Sequence, residues 1–239
     1  MSAQPLASLV AIVTGGSGAI GRSIMAELRE GGATAISLDL VASPDPGVES
    51  LVCDVRDDAS VAGAVREAEA KHGRLDIAVH AAGIARDGVL WKLPVEQWDQ
   101  VQTVNLRGAF LLLRHAIPAM RRGGNGGRIV LIGSINGSRG KRGTSAYAAS
   151  KAGLIGLARS VSREVGSFGI TANVIEPGYA RTPLTESLDP QVLATALAET
   201  QLGELVEPDD VAAAVVFLCG PGGRRITGQI LRVDSGQHM

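Results

Sequence analysis

The sequence predicts an α/β fold: one domain over residues 1–239, built on a doubly wound parallel sheet of seven strands with helices on both faces. Three observations carry this. Short β-rich runs alternate with longer amphipathic stretches along the chain; 239 residues at 45% hydrophobic suffice for one sizeable core; and no internal repeat interrupts the rhythm.

Taken in order, Leu9 to Val13 reads as the first strand, and Ala19 to Arg29 as the helix that follows. Ala35 to Leu38 and Leu51 to Cys53 are the next two strands, then the helix Ala59 to Lys71 and the strand Ile77 to Ala81. Residues 95 to 120 read as helical with a bend near Gly108, followed by the strand Arg128 to Ile132 and the long helix Tyr147 to Ser167. Ile170 to Ile175 is a buried strand, and Pro208 to Leu218 is a helix opened by proline and closed by Gly220-Pro221. Gln229 to Val233 completes the seven. Three loops remain, Val41 to Glu49, the flexible Gly123 to Gly127, and Ala180 to Glu207. The third is the longest, has room for a short helix between Thr182 and Ala198, and reads as a lid or binding loop.

Charge and cysteines narrow the partners. With 23 basic and 24 acidic side chains intermingled, the net charge is −1, which provides no electrostatic footprint for nucleic acid or membrane. Small molecules or other subunits are the expected partners. Cys53 and Cys219 stand far apart, without metal-ligand spacing, and read as buried thiols of a reducing compartment; no metal is expected. The first residues lack a basic segment leading into an apolar run, and no run of about 18 uncharged apolar residues occurs, so a cytoplasmic protein is expected.

The chemistry starts at Thr14-Gly15-Gly16-Ser17-Gly18-Ala19-Ile20-Gly21, between first strand and first helix. Gly15 suits the tight turn, Gly18 admits backbone to a pyrophosphate, and Gly21 allows helix to pack closely on strand. Ser17 and Ile20 complete the predicted dinucleotide cradle, over which the helix N-terminus offers its free N–H groups. Eighteen residues past Gly21, Asp39 closes the second strand; a carboxylate there accepts from ribose hydroxyls and repels a 2′-phosphate, selecting NAD over NADP. Arg22 is a contrary hint, read as pointing along the helix face.

Tyr147 and Lys151 are i and i+4, leaving one helix face about a turn apart. A phenol titrates near ~10 in water, and an adjacent ammonium favours its ionised form. Ser134, thirteen residues before Tyr147 at a strand end, is placed to polarise a substrate oxygen. Asn105 is an amide in an otherwise apolar helical stretch.

The Gly-x-x-x-Gly-x-Gly turn and the set Asn105, Ser134, Tyr147 and Lys151 together resemble the short-chain dehydrogenase/reductase family, over residues 8 to 236. The resemblance implies a Rossmann fold, with a dinucleotide-binding half to about residue 125 and a catalytic, substrate-binding part from about 126. It implies that Asp54, followed by Val55, meets the adenine edge; that Ala82 and Gly83 contact the cofactor; and that Asn105 holds a water linking Lys151 to solvent. Tyr147 and Lys151 are also implied to contact the cofactor, Lys151 at the nicotinamide ribose. Pro177-Gly178 is implied to lie beside the nicotinamide, with Thr182 on its carboxamide. Two departures stand out: His80-Ala81 replaces a usual pair of asparagines, with His80 either a substitute hydrogen-bonding group or, the favoured reading, inert packing, and Glu176 replaces a usual asparagine.

Within the family the chain is most similar to 3-oxoacyl-thioester reductases. Two arginines implied for an acyl carrier protein are replaced by Asn125 and Phe168, and Arg121, Arg122 and Arg128 read as a solvated basic turn. Asp39 therefore favours NAD-linked oxidation of a secondary alcohol, cyclic or a hydroxyacyl-CoA, with Arg139, Lys141 and Arg142 available to a CoA phosphate. The alternatives are an NADPH-dependent 3-oxoacyl-thioester reductase and a nonenzymatic redox sensor. Retention of Tyr147 and Lys151 weighs against the sensor. The resemblance also implies a homotetramer paired through helices near 106–120 and 150–166, where Leu111, Leu112, Leu154, Ile155 and Leu157 serve either such a seam or simply the core. The terminal Gln237-His238-Met239 is read as able to reach a neighbour.

Overall fold

Runs of residues that are apolar on both faces can satisfy burial only inside a covered sheet, and the central strands here are such runs. In the computed structural model, which describes residues 4–43, 45, 47–182, 185 and 190–239, β1 (Val10–Thr14) is buried throughout. It is flanked by β2 (Thr34–Asp39) and β4 (Ile77–His80), and the full order is β3-β2-β1-β4-β5-β6-β7 with every pairing parallel. β3 is Glu49–Val52, β5 Gly127–Ile132, β6 Ile170–Pro177 and β7 Ile230–Val233. The order reverses between β1 and β4, which opens a crevice at the strand C-termini.

Alternation along each strand divides the core. Ile12, Ile36, Leu38, Ile129 and Leu131 face α2 (Asp58–His72), α4 (Gly108–Gly123) and α6 (Ser145–Val165). Ala11, Val13, Val130 and Ile132 pack instead against α1 (Ala19–Glu30) and the carboxy-terminal helix Pro208–Cys219. Pro208 opens that helix, and the Asp210 carboxylate accepts from the Glu207 N–H at 2.8 Å. Cys53 and Cys219 are free and buried, and burial pushes the Cys219 thiol up to about 12.

The long helical stretch is two helices, α3 (Val95–Gln102) and α4, joined by a π-helical turn over Thr103–Arg107. The irregularity thus lies just before Gly108, centred on Asn105, rather than at the glycine itself. Gly108 instead permits close packing, since a Cβ there would come 3.1 Å from the Val55 side chain. A short helix, α5 (Ile135–Arg139), follows β5 directly, in a segment to which the sequence assigned no element. In the last long loop the helix α7 spans Pro190–Ala198; Pro183, Leu184 and residues 186–189 lie outside the described residues. Among the described residues no helix is long and apolar enough to cross a membrane, and no cluster of three metal-ligating side chains occurs.

Leu111, Leu112 and Leu154 belong to the core and not to a subunit seam; Phe110, 46% exposed, presents the apolar surface of α4 instead. Ile155 and Leu157 are half-buried. At the C-terminal tail Gln237 is packed on its own chain, only 7% exposed, while the terminal Met239 is 88% exposed.

Candidate active site

The glycine turn follows β1 as its composition requires. Gly15 has φ +69°, and a Cβ there would fall 2.6 Å from the Ala82 nitrogen, so this turn is pressed against the end of β4. A Cβ on Gly21 would lie 2.0 Å from the Gly15 carbonyl oxygen, which fixes helix against turn. Gly16, which sequence reasoning passed over, is equally confined: its Cβ would meet the Ser37 hydroxyl at 2.4 Å. Gly18 is exposed and caps α1 without any side-chain cap, so no side chain covers the first-turn N–H groups. A shallow cradle walled by glycine and topped by open donors fits a dinucleotide diphosphate. Ile20 is half-buried against the core on the α1 side.

Asp39 sits beside this turn, its carboxylate accepting from the Ser17 N–H at 3.0 Å and from the Leu40 N–H at 2.7 Å. Arg22 does not run along the helix face; its guanidinium turns back and donates to the Ser17 carbonyl at 2.8 Å. Asp54 is engaged by Arg56 at 2.6 to 3.1 Å, which holds its carboxyl below the usual range, and the Val55 side chain is buried beneath α4.

Four strand ends bring the remaining residues together. Ser134 follows β5 as N-cap of α5, its Oγ accepting from the Asn136 N–H at 3.2 Å, and its hydroxyl faces the Tyr147 phenol, where it favours the ionised form. Tyr147 and Lys151 lie one turn apart on α6, with the Lys151 nitrogen 5.6 Å from the phenol ring centre. The ammonium donates to the Ile132 carbonyl at 2.7 Å. Asn105, fully buried in the π turn, accepts from the Ile84 N–H at 2.8 Å and donates to the Ile84 carbonyl at 3.0 Å and the Ser150 hydroxyl at 2.9 Å. Ser150 passes the network on to the Tyr147 carbonyl at 2.7 Å. It was not singled out from the sequence, although its i+3 spacing from Tyr147 places it on the same turn. Gly83 lies between these groups: a Cβ there would be 3.4 Å from the Lys151 nitrogen and 3.5 Å from Asn105 Oδ1.

His80 is a connector, not inert packing. One ring nitrogen pairs with the Thr14 hydroxyl at 2.9 Å and the other with the Asn105 carbonyl at 3.1 Å, joining β1 to the π turn. Complete burial pushes its pKa down to about 3, so it stays neutral, with one nitrogen a donor and the other an acceptor. Glu176 is likewise accounted for. Its buried carboxylate accepts from the Ser138 hydroxyl at 2.7 Å and from Arg232 at 3.5 Å, bracing α5 from β6 and β7.

Pro177 ends β6, and the Gly178 N–H donates to the Val233 carbonyl at 2.9 Å. Thr182 is held in a local turn, its N–H donating to the Thr185 hydroxyl at 2.8 Å. Arg139 is not free for a phosphate, since it pairs with Glu199 at 2.8 Å. The Lys141 ammonium lies 4.6 Å from the centre of the Tyr179 ring, beside a cavity of about 360 Å³.

Burial raises the Tyr147 pKa; the Ser134 hydrogen bond opposes this and the Asp87 charge adds to it, so the phenol keeps its proton in the free protein. Burial also pushes Lys151 down to about 8. Below that pH the folded and unfolded chains both carry the charge, and the fold bears its full desolvation cost. Between about 8 and the ordinary lysine value the fold sheds the proton and the cost fades. Lys151→Met is therefore expected to stabilise the protein at pH 7, by up to about 3 kcal/mol less about 1 for the lost hydrogen bond. Thermal melts should show the gain at pH 7 and its disappearance near pH 10.5; a variant that melts below the parent at pH 7 would contradict this account.

Comparison with known proteins gives a consistent picture. A family model described as enoyl-(acyl carrier protein) reductase matches residues 17–238. The chain is 37% identical to the 3-oxoacyl-[acyl-carrier-protein] reductase FabG of Escherichia coli, over 96% of this chain and 97% of that protein. It is 34% identical to the corresponding FabG of Thermotoga maritima, over 95% and 96%. Among solved structures it is similar to gox2181, with a TM-score of 0.92 and 35% identity over 98% of this chain and 97% of that one. The ligand-free aldohexose dehydrogenase of Thermoplasma acidophilum superposes with a TM-score of 0.90 at 29% identity, over 97% and 94%.

Proposed function

Because this chain belongs to the short-chain dehydrogenase/reductase family and is an NAD(P)-dependent oxidoreductase acting on CH–OH groups, we propose that it interconverts a secondary alcohol and its ketone with NAD(H), Tyr147 being the proton-transfer group. The observation that carries the reading is the convergence of the Tyr147 phenol, the Ser134 hydroxyl and the Lys151 ammonium at the ends of β5 and α6. We assign dinucleotide binding to the part before about residue 125 and proton transfer with substrate binding to the remainder. Gly15, Ser17, Gly18, Ile20 and Gly21 would hold the diphosphate, Asp39 the adenosine ribose, and Asp54 with Val55 the adenine edge, while Ala82 and Gly83 would contact the cofactor at the end of β4, where Gly83 lies beside Lys151. Pro177, Gly178 and Thr182 would hold the nicotinamide, which when bound supplies or accepts the hydride.

The protein's own contribution is proton management. In reduction, the protonated phenol that burial favours is the acid that meets the forming alkoxide, while Ser134 holds the same oxygen. In oxidation the phenol must first lose its proton. The Lys151 charge favours that loss, and the amide network of Asn105, Ser150 and Ile84 keeps Lys151 and Tyr147 on one rigid face.

Asp39 supports NAD. Each of its oxygens already takes one backbone N–H and has a further lone pair for a ribose hydroxyl, and its negative charge opposes a 2′-phosphate. Arg22, 2.8 Å from the Ser17 carbonyl, is the cation nearby. Asp39→Ser is thus expected to shift the ratio of kcat/KM for NAD over NADP by about a hundredfold toward NADP, the worth of a charged hydrogen bond plus the relieved repulsion. An unchanged ratio, or a parent enzyme that already prefers NADPH, would remove NAD from the proposal.

A second reading, reduction of a 3-oxoacyl thioester with NADPH, is favoured by the similarity to the FabG proteins. Against it, the basic turn is occupied: Arg121 lies 4.0 Å over the Phe168 ring, Arg122 pairs with Glu69, and Arg128 donates to the Gly127 and Gly169 carbonyls. Assays of 3-hydroxyacyl-CoAs, cyclic alcohols and their ketones with each dinucleotide separate the two readings. We also propose a homotetramer paired through α4 and α6, supported by exposed Phe110 beside half-buried Leu106 and Leu157, which line one apolar recess.

A further inference from the structure

We propose that Gln237 is a positioning residue that fixes the substrate wall of its own subunit and, through a chain of hydrogen bonds, its distance from Ser134. This rests on the hydride-transfer reading only in treating the cavity beside Lys141 as the substrate's.

The amide of Gln237 is fully used. Its Oε1 accepts from the Tyr179 N–H at 3.0 Å, and its Nε2 donates to the Ala196 carbonyl at 3.2 Å and to Glu199 at 3.0 Å. One side chain therefore joins the segment leaving β6 to the end of α7. These two pieces, with Arg139 and Lys141, wall the 360 Å³ cavity. The amide's own backbone is anchored, since the Gln237 N–H donates to the Asp234 carbonyl at 2.9 Å and the Asp234 carboxylate accepts from the N–H groups of Gly236 and His238. Gly178 leaves it room: a Cβ there would stand 2.9 Å from Oε1.

From Gln237 the bonds continue inward. Glu199 accepts from Arg139 at 2.8 Å, Arg139 donates to Asn136 Oδ1 at 3.3 Å, and the Asn136 N–H donates to the Ser134 hydroxyl at 3.2 Å. The path holds one ion pair, Glu199 with Arg139, and its outer end meets the Glu199 carboxylate on one side and the Tyr179 N–H on the other, so a neutral group with a donor facing Glu199 and an acceptor facing Tyr179 fits there. Glutamine meets that demand; glutamate would set a second carboxylate against Glu199.

The test uses the full chain with Gln237→Glu, the double variant Gln237→Glu/Glu199→Gln, and Gln237→Met as the equal-length control should the first fail to fold. Hydrogen exchange in the peptides around Tyr179 and α7 should quicken by about tenfold or more, the worth of one to two hydrogen bonds. For the best substrate of the alcohol and ketone panel, KM should rise about tenfold while kcat and the dissociation constant for NADH, followed by its fluorescence, change by less than about threefold. Glu199→Gln in the Gln237→Glu background should recover most of both losses. Unchanged exchange, absent recovery, or a parallel loss of NADH affinity and global stability would overturn the proposal. Should no compound in the panel turn over, the hydride-transfer reading fails, while exchange and its recovery still decide the role of Gln237.

Discussion

Tyr147→Phe is expected to lower kcat by about a thousandfold, the ordinary worth of a positioned general acid and base, with NADH affinity unchanged. The substitution removes one oxygen and leaves the ring on α6, facing the same Lys151 ammonium. Ser134 keeps its bond from the Asn136 N–H and still offers its hydroxyl to a substrate oxygen, but an aliphatic hydroxyl is a far weaker acid than a phenol. The comparison needs a productive substrate for the parent and NADH fluorescence for the variant. Retention of more than about a tenth of the parent kcat would mean that another group carries the proton, and the proposed mechanism would fall.

The second large effect belongs to the turn. A Cβ on Gly21 would lie 2.0 Å from the Gly15 oxygen, 2.8 Å from the Gly15 carbonyl carbon and 2.9 Å from the Gly16 Cα, all of them backbone. No rotamer change relieves such a contact, so Gly21→Ala must push α1 from β1 or break the turn. We expect a loss of roughly 3 kcal/mol or more, seen as a Tm lower by about 10 °C, together with loss of measurable dinucleotide binding. Gly63→Ala is the control. It sits within α2 with nothing near its Cβ, and there alanine should be neutral or stabilising by up to about 1 kcal/mol. If the two substitutions behave alike, close packing is not why glycine stands at position 21.

These two residues illustrate what could be read in advance. Gly21 and Tyr147 belong to local patterns, a turn between strand and helix and a pair four apart on a helix. Their geometry is set by the period of the backbone, so a sequence suffices to place them. The parallel sheet was legible for a related reason, since strands covered on both faces must be apolar throughout and must alternate with crossover helices. The rhythm and the right-handed crossovers narrow the possible topologies, but the order of the strands, with its reversal between β1 and β4, is decided by the packed structure.

His80, Glu176, Arg139 and Gln237 are different. Each is a polar side chain whose partners lie tens of residues away, as with the 98 residues between Arg139 and the Gln237 carbonyl, or the 66 between Thr14 and His80. No local period records such a pairing, so from sequence alone His80 read as inert packing and Arg139 as a cation available to a phosphate. Burial decides otherwise. Once the fold has taken a polar group out of water it must find a partner or carry the desolvation cost, and only the packed chain determines which partner is within reach. The sequence by itself determined the sheet, the turn and the tyrosine-lysine pair, because each follows from neighbours along the backbone. The tertiary structure alone decided how the walls of the cavity are braced, because that depends on which buried groups meet.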